Sequence, residues 1–206
     1  MIQGSASSLE LLELDGAPAR AVQRIKRTSK QMGELLNTLL LLAREESEKN
    51  SENIEPLNVN DLIDTLLGEY GSVFSDKGNS VDVRHKQSLV VRAPESILSI
   101  VLGNVLGNAF SYTTYGKIEV VVDSGSVTIT DTGVGMDQAS VEKAFKPFYR
   151  ANPDGGFDQH QGLGLAIVRQ SCTNYGWDIH LASEKGRGTQ VTICLLYTSP
   201  SPRDRG

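Results

Sequence analysis

Asn104-Val105-Leu106-Gly107-Asn108, Asp131-Thr132-Gly133-Val134-Gly135, Gly162-Leu163-Gly164-Leu165 and Gly186-Arg187-Gly188-Thr189 follow one another in that order along the chain. Phe145-Lys146-Pro147-Phe148-Tyr149 lies between the second and the third. Glycine pairs let a backbone approach a phosphate or take dihedral angles that a side chain forbids. The two Asn and the Asp supply amide and carboxylate groups for a metal ion and a base. Any one of these motifs alone would be weak evidence, and Asp-x-Gly-x-Gly by itself is more often an ordinary turn. Together, in this order, they imply a nucleotide pocket.

The first motif falls on a helix expected over residues 94–112, with Pro94 at an early position. After Glu95 the sequence carries no charge until Lys117. Leu98, Val101, Leu102, Val105 and Ala109 form an apolar stripe, and Asn104 and Asn108 stand one turn apart beside it. A helix this apolar is buried, and buried amides need partners. A magnesium ion with phosphates would supply them, because Mg²⁺ takes oxygen ligands and keeps several waters. Two Asn hydrogen-bonded inside a core is the plainer alternative. Asp131 follows the strand Val127–Thr130, where its carboxylate can accept the adenine amino proton and so separate adenine from guanine. Gly133 and Gly135 let the loop run flat against the base. Gly162 and Gly164 open a helix whose N-terminal N–H groups favour anions.

The ordered motifs resemble the ATP-binding catalytic domain of sensor histidine kinases, within the Bergerat-fold superfamily that also holds gyrase, Hsp90 and MutL. The resemblance covers roughly Ile54 to Ile193, and Gly-Leu-Gly-Leu-Ala-Ile-Val at 162–168 is similar to the kinase branch. It implies an α+β fold, a two-layer α/β sandwich. It also implies that Asn108 coordinates Mg²⁺, that Asn104 is the catalytic amide supporting the metal or the γ-phosphate, and that Tyr112 contacts the nucleotide. Asp131 would read adenine, with Thr189 in its water network and Gly133 and Gly135 beneath the base. Gly162, Leu163 and Gly164 would hold the triphosphate, with Arg150 as a further phosphate contact. Phe145, Phe148 and His160 would belong to a mobile lid over ATP. Two positions depart from the family pattern: Ser111 stands where a Lys is frequent, and His160 where a Gly is frequent.

Composition agrees with a packed domain and restricts the alternatives. The chain has 206 residues, is 39% hydrophobic and 22% charged, and carries a formal charge of −5. Basic residues form no long patch, which disfavours nucleic-acid binding. The longest apolar run, Leu39 to Ala43 with its neighbours, is too short to span a bilayer. The two Cys suggest no disulfide framework, and Cys172 is expected to be a small buried residue on the helical face of Leu165, Val168 and Tyr175.

Further elements follow from periodicity. Val22, Ile25, Ser29, Met32, Leu36, Leu39 and Ala43 make a heptad seam on a helix expected over 19–47, widened by Leu35, Leu40 and Leu42. Residues 1–50 thus resemble a partial dimerisation hairpin, two copies of which make a four-helix bundle, and residues 51–193 the catalytic domain. Strands are expected at 54–59, 80–86, 88–91, 118–122 and 126–130, helices at 61–75 and 163–174, and two closing strands after them. The last strand is expected to start near Thr189, with the natural sequence cut short after Ile193 and Leu195 and Leu196 as the residues that could complete it by accident. Cys194 to Asp204 resembles translated sequencing-adapter DNA, so 194–206 is expected to be an artefact without specific function.

The resemblance further implies a phosphoacceptor His upstream of Met1. His85, His160 and His180 lie in the wrong elements and lack the acceptor motif, so the chain is expected not to autophosphorylate. The implied activity is transfer of the γ-phosphoryl of ATP to a His and on to an Asp of a response regulator receiver domain, in bacterial two-component signalling. The expected location is the cytoplasm, with any anchoring of the parent in the inner membrane supplied by upstream segments. An ATP hydrolase similar to gyrase or Hsp90 would want a Glu base in the first motif, where position 104 is Asn. A degenerate domain that only binds ATP or dimerises is the remaining alternative.

Overall fold

The computed structural model describes residues 55–74, 77–151 and 162–195. The expected helix over 19–47, its hairpin, and residues 196–206 lie outside the described residues. In chain order the elements are β1 (Pro56–Asn58), α1 (Val59–Val73), β2 (Ser80–His85), β3 (Val90–Arg92), α2 (Glu95–Tyr112), β4 (Lys117–Asp123), β5 (Ser126–Asp131), α3 (Gln138–Val141), α4 (Gly164–Tyr175), β6 (Asp178–Glu184) and β7 (Gly188–Cys194).

Five strands form one sheet in the order β2-β4-β5-β7-β6, in which only β2 and β4 run parallel. That parallel pair needs a crossover, and β3 and α2 supply it. β1 and β3 form a separate antiparallel pair. Period-2 alternation sends Ile118, Val120, Val122, Val127, Ile129, Val191 and Ile193 to the buried face. The opposite face is polar. It carries a Thr128–Thr192 hydroxyl pair at 3.1 Å, and Lys117 lies 3.2 Å from Asp82 with Arg84 2.8 Å from Glu119. The described helices α2 and α4 pack on the sheet, whose apolar face holds its buried residues, so the domain has the expected two layers.

α2 is buried nearly all round. Ile97, Leu106 and Phe110 are buried in addition to the expected stripe, as a helix apolar on every face requires. It packs against both α1 and α4. Tyr70 of α1 lies against the α2 backbone, where a Cβ on Gly103 or Gly107 would stand 3.2 Å from its ring or hydroxyl. Tyr70, Phe74 and Phe110 stack with centroids 5.7 to 6.2 Å apart.

The first strand is shorter than expected, and the helix after it starts earlier. Asn58 caps α1, its side chain accepting from Asn60 N at 3.0 Å, so Val59 is already helical. Asn60 Oδ1 in turn accepts from Leu89 N at 2.9 Å, and β3 starts at Val90 rather than at the expected Ser88. β7 runs through Cys194, paired with Ser126 and Asp178, and Leu195 beyond it is buried with its N–H on Gly125 O at 2.7 Å. The strand thus continues past Ile193 into Cys194, with Leu195 filling in beyond it, because the sheet offers partners on both sides.

Cys172 is 1% exposed, as expected. Burial first, then nearby Asp178, pushes its thiol up to about 12. A native chain at pH 8 should therefore resist alkylation at Cys172 and be labelled there only on unfolding. Equal labelling rates at Cys172 and Cys194 in the native chain, read by mass spectrometry, would contradict this packing. The sign for stability follows: the neutral thiol favours the fold below an unfolded pKa of about 8.5, and that contribution is lost as pH rises towards about 12.

Candidate functional site

Asp131, Thr189 and Gly164 sit at the ends of elements, whereas Asn104 and Asn108 lie within α2. Asp131 is the last residue of β5 and Thr189 the second of β7, directly paired across the ladder. Gly133 N and Thr189 N donate to Asp131 Oδ1 at 2.8 and 3.3 Å. Thr189 Oγ1 lies 3.0 Å from Ser183 Oγ on β6, and Ser183 also accepts from Met136 N at 2.8 Å. A polar row of Asp131, Thr189 and Ser183 therefore ends the otherwise apolar face of the sheet.

The second and fourth motifs are tied together by backbone. Gly186 N donates to Val134 O at 2.7 Å, and a Cβ on Gly135 would stand 2.0 Å from Glu184 O. The second motif also touches the end of α2, since Val134 N donates to Tyr112 O at 3.2 Å and a Cβ on Gly133 would stand 2.3 Å from that oxygen. At the other end of the site, a Cβ on Gly164 would lie 2.7 Å from Asn104 Oδ1. The first and third motifs are thus in contact, and all four surround one region between α2, α4 and the sheet end.

The charges and free groups in this region follow from that packing. Asp131 is 8% exposed, and burial raises its proton affinity above that of an ordinary carboxylate. The hydrogen bonds from Gly133 and Thr189 oppose the shift, as does the Thr113 hydroxyl. Asn104 Nδ2 donates to Ile100 O of its own helix at 2.8 Å, which leaves Oδ1 towards Gly164. Asn108 is half-buried, and its side chain has no hydrogen-bond partner among the described residues. The N-terminus of α4 has no side-chain cap at Leu163, so no side chain satisfies its first N–H groups through a cap.

These groups fit a nucleotide with magnesium. An uncapped helix N-terminus suits phosphate, and an amide without a partner suits a hard cation. No cluster of three or more His, Cys, Asp or Glu among the described residues could hold a metal. A magnesium ion here would rest on an amide oxygen, phosphates and water.

The lid residues divide. Phe145 is half-buried with the Arg169 guanidinium 4.9 Å over its ring, so it packs on α4. Phe148 is 62% exposed, and its N–H donates to Gly162 O at 2.9 Å, which holds the two sides of residues 152–161 together. His160 and the Pro153-Asp154-Gly155-Gly156 stretch lie outside the described residues. Arg150 is half-buried beside Tyr149, whose hydroxyl donates to Ser140 Oγ at 3.0 Å. His180 lies exposed on the edge strand β6. His85 is held by Asn60 Nδ2 at 2.9 Å and donates through Nε2 to Asp64 at 3.0 Å.

Sequence reasoning missed Thr113 and Ser183. Ser183 was within reach, because β6 alternation puts it on the face of Ile179 and Leu181, where a polar residue is out of place. Thr113 carried only the weaker signal of a polar residue directly after the apolar helix.

Residues 93–199 match the family described as histidine kinase-, DNA gyrase B-, and HSP90-like ATPase. Among curated relatives, the sensor histidine kinase RppB of Synechocystis is 30% identical over 189 residues, covering 85% of this chain and 40% of its own length. The sensor protein kinase PmrB of Pseudomonas aeruginosa is 28% identical over 190 residues, covering 89% and 39%. The chain spans about two fifths of the length of these relatives. Of solved structures, the mycobacterial sensor histidine kinase MprB superposes with a TM-score of 0.59 at 27% identity, covering 69% of this chain and 97% of that one. Full-length ShkA in complex with AMPPNP shares the fold at a TM-score of 0.67 and 24% identity, over 93% of this chain and 41% of that one. No helix of the described residues is long and apolar enough to cross a membrane.

Proposed function

We propose, because this chain belongs to the histidine kinase-, DNA gyrase B- and HSP90-like ATPase family, that it binds Mg-ATP and presents the γ-phosphoryl for transfer to a histidine and onward to a response regulator aspartate. The reading is supported above all by one juxtaposition. A buried acceptor carboxylate, Asp131, stands at the sheet end, and an uncapped helix N-terminus beside Asn104 stands across the same region.

The Asp131 carboxylate would accept the adenine amino proton, with Thr189 orienting it and Gly133 and Gly135 bringing backbone against the base. Tyr112 would contact the nucleotide from the end of α2. Gly162, Leu163 and Gly164 would direct N–H groups at the phosphates, with Arg150 adding positive charge. Asn108 would hold magnesium and Asn104 would align the γ-phosphoryl group. Bound magnesium neutralises phosphate charge as it develops. The chain supplies position and electrostatics rather than a nucleophile, as such transfer requires. Phe145, Phe148 and His160 would close over the phosphates.

None of the three His of this chain is proposed as the acceptor. His85 is engaged with Asn60 and Asp64, and His180 lies on an edge strand remote in sequence from any helix of the expected hairpin. Dimerisation through residues 1–50, and transfer to a receiver domain in the cytoplasm, complete the proposal.

Calorimetry on the full chain tests it. Mg-ATP should bind, and Asp131→Asn should weaken binding on the order of tenfold or more, the cost of one charge-assisted hydrogen bond. Absence of heat at about 1 mM ATP from a chain shown to be folded would overturn the pocket. The same substitution should raise the melting temperature of the nucleotide-free chain at pH 7. Burial raises the Asp131 pKa, so ionisation opposes folding as pH climbs through the folded value, and an amide removes that cost.

A further inference from the structure

The last turn of α2 leaves carbonyls that its own helix cannot satisfy. It does not end on a residue in the left-handed region. Thr113 follows it in extended backbone at φ −112 and ψ 135, and the last turn holds no basic residue. Three successive carbonyls there are met by groups from elsewhere in the chain. Lys77 Nζ donates to Ser111 O, Val134 N to Tyr112 O at 3.2 Å, and Asn79 Nδ2 to Thr113 O at 2.9 Å. Asn79 also accepts: its Oδ1 takes the N–H of Gly116 at 3.1 Å. One side-chain amide therefore closes the turn of residues 113–116 from both ends. Tyr115 N, inside that turn, donates to Lys77 O at 2.9 Å.

The closed turn is the seat of the second motif. A Cβ on Gly116 would lie 2.6 Å from both the Thr113 methyl and Thr132 Oγ1. Thr132 Oγ1 accepts from Lys117 N at 2.9 Å, and Thr132 N donates to Lys117 O at 3.0 Å. The next two residues rest on the helix end. A Cβ on Gly133 would stand 2.3 Å from Tyr112 O, the same oxygen that Val134 N meets. Thr132, Gly133 and Val134 thus each touch the stretch 112–117, and Gly133 N is the 2.8 Å donor to Asp131 Oδ1. Asn79 itself bonds to Thr113 and Gly116, and to neither Asp131 nor the glycines of the motif.

We propose that Asn79 is a positioning residue for the base site: by closing the 113–116 turn it fixes the seat of Thr132-Gly133-Val134 and so aims the Asp131 carboxylate, setting nucleotide affinity through the loop rather than by contact. The proposal rests on the reading of Asp131 as the base-recognising group. A hydrogen bond weakens steeply as it leaves its line, so a small displacement of the loop is felt at the base. The amide suits this task because it donates and accepts at once. A carboxylate would lose the donor, and an ammonium would lose the acceptor. The β6–β7 turn bounds the loop from the other side, through Gly186 N on Val134 O, so the Asn79 turn is one of two walls.

The test uses the full chain with Asn79→Ala. Asn79→Asp serves if the alanine variant does not fold, since it keeps the shape and the Gly116 bond but sets an oxygen against Thr113 O. Amide exchange of the nucleotide-free chain, read by NMR, should quicken at Val134 on the order of tenfold, while amides of the β4–β5 ladder keep the parent rate. Calorimetry should show Mg-ATP binding weakened on the order of five- to tenfold. In the Asp131→Asn background the same change should cost about twofold or less, because the group it aims is already impaired. Unmoved exchange at Val134, or exchange that quickens equally across the ladder, overturns the proposal. So does the full loss of affinity recurring on top of Asp131→Asn, which would exclude action through Asp131. Affinity lost in Asp131→Asn but kept in Asn79→Ala overturns this proposal alone. Affinity unchanged in Asp131→Asn overturns the reading of Asp131 and the proposal with it.

Discussion

Gly188→Ala is expected to cost the domain on the order of 4 kcal/mol, enough to unfold much of it. Gly188 opens β7 at φ +111, a conformation that L side chains rarely adopt. A Cβ there would stand 1.9 Å from Asp131 O, 2.7 Å from Asp131 C and 2.9 Å from Thr132 Cα, all backbone atoms at the end of β5. These are atoms of the adjacent strand and the residue after it in the same chain, none of which can rotate away, so the strand end itself would have to move. That would break the Asp131–Thr189 pair and the Thr189 N bond to Asp131, the centre of the proposed base site. Gly186, two residues earlier, is the internal control. It also has positive φ, at +80, but a Cβ there would meet nothing within 4 Å. Gly186→Ala should therefore cost only the backbone strain, about 1 kcal/mol. Urea unfolding of the two variants side by side measures the difference. Equal midpoints would show that the close approach at Gly188 is not rigid.

Three of the four motifs were legible because they lie at element ends, where local pattern and turn chemistry coincide, and the first because it lies within an uninterrupted apolar helix. Asp131 closes an alternating strand, Gly164 opens a helix, and Tyr112 ends the long apolar one. The α2 reading needed only the missing charges between Glu95 and Lys117. What local pattern cannot carry is a partner far along the chain. The Asn79 clamp on Thr113 spans 34 residues and the Thr189 bond to Asp131 spans 58. The parallel β2–β4 pairing is likewise a property of the crossover rather than of either strand. The short helix Gln138–Val141 escaped for another reason. It is four residues long and rests on one cap, the Asp137 carboxylate accepting from Ser140 N at 2.8 Å. Such a turn has too little periodicity to read.

Asn108→Ala should separate catalysis from stability more sharply than any other change at the site. The side chain has no hydrogen-bond partner among the described residues, so its removal orphans no described polar atom. Its neighbours Val105, Leu106, Gly107 and Ala109 are buried, and they hold the helix without it. Melting should therefore shift little, by the equivalent of about 1 kcal/mol or less. The proposed role of Asn108 as a magnesium ligand predicts the opposite for transfer. Charge neutralisation at the phosphates would be lost, lowering the rate to a supplied histidine-bearing hairpin on the order of a hundredfold. Asn104→Ala makes the useful contrast. Asn104 Nδ2 donates to Ile100 O and its Oδ1 lies beside Gly164, so truncation there also loosens the contact between α2 and α4. Both variants should be slow, but only Asn108→Ala should regain part of its rate as magnesium is raised, because its defect is in metal affinity. Transfer from γ-labelled ATP, measured across a magnesium series beside thermal melts, reads all of these quantities. An Asn108→Ala chain that transfers at the parent rate at low magnesium would end the assignment of this amide to the metal.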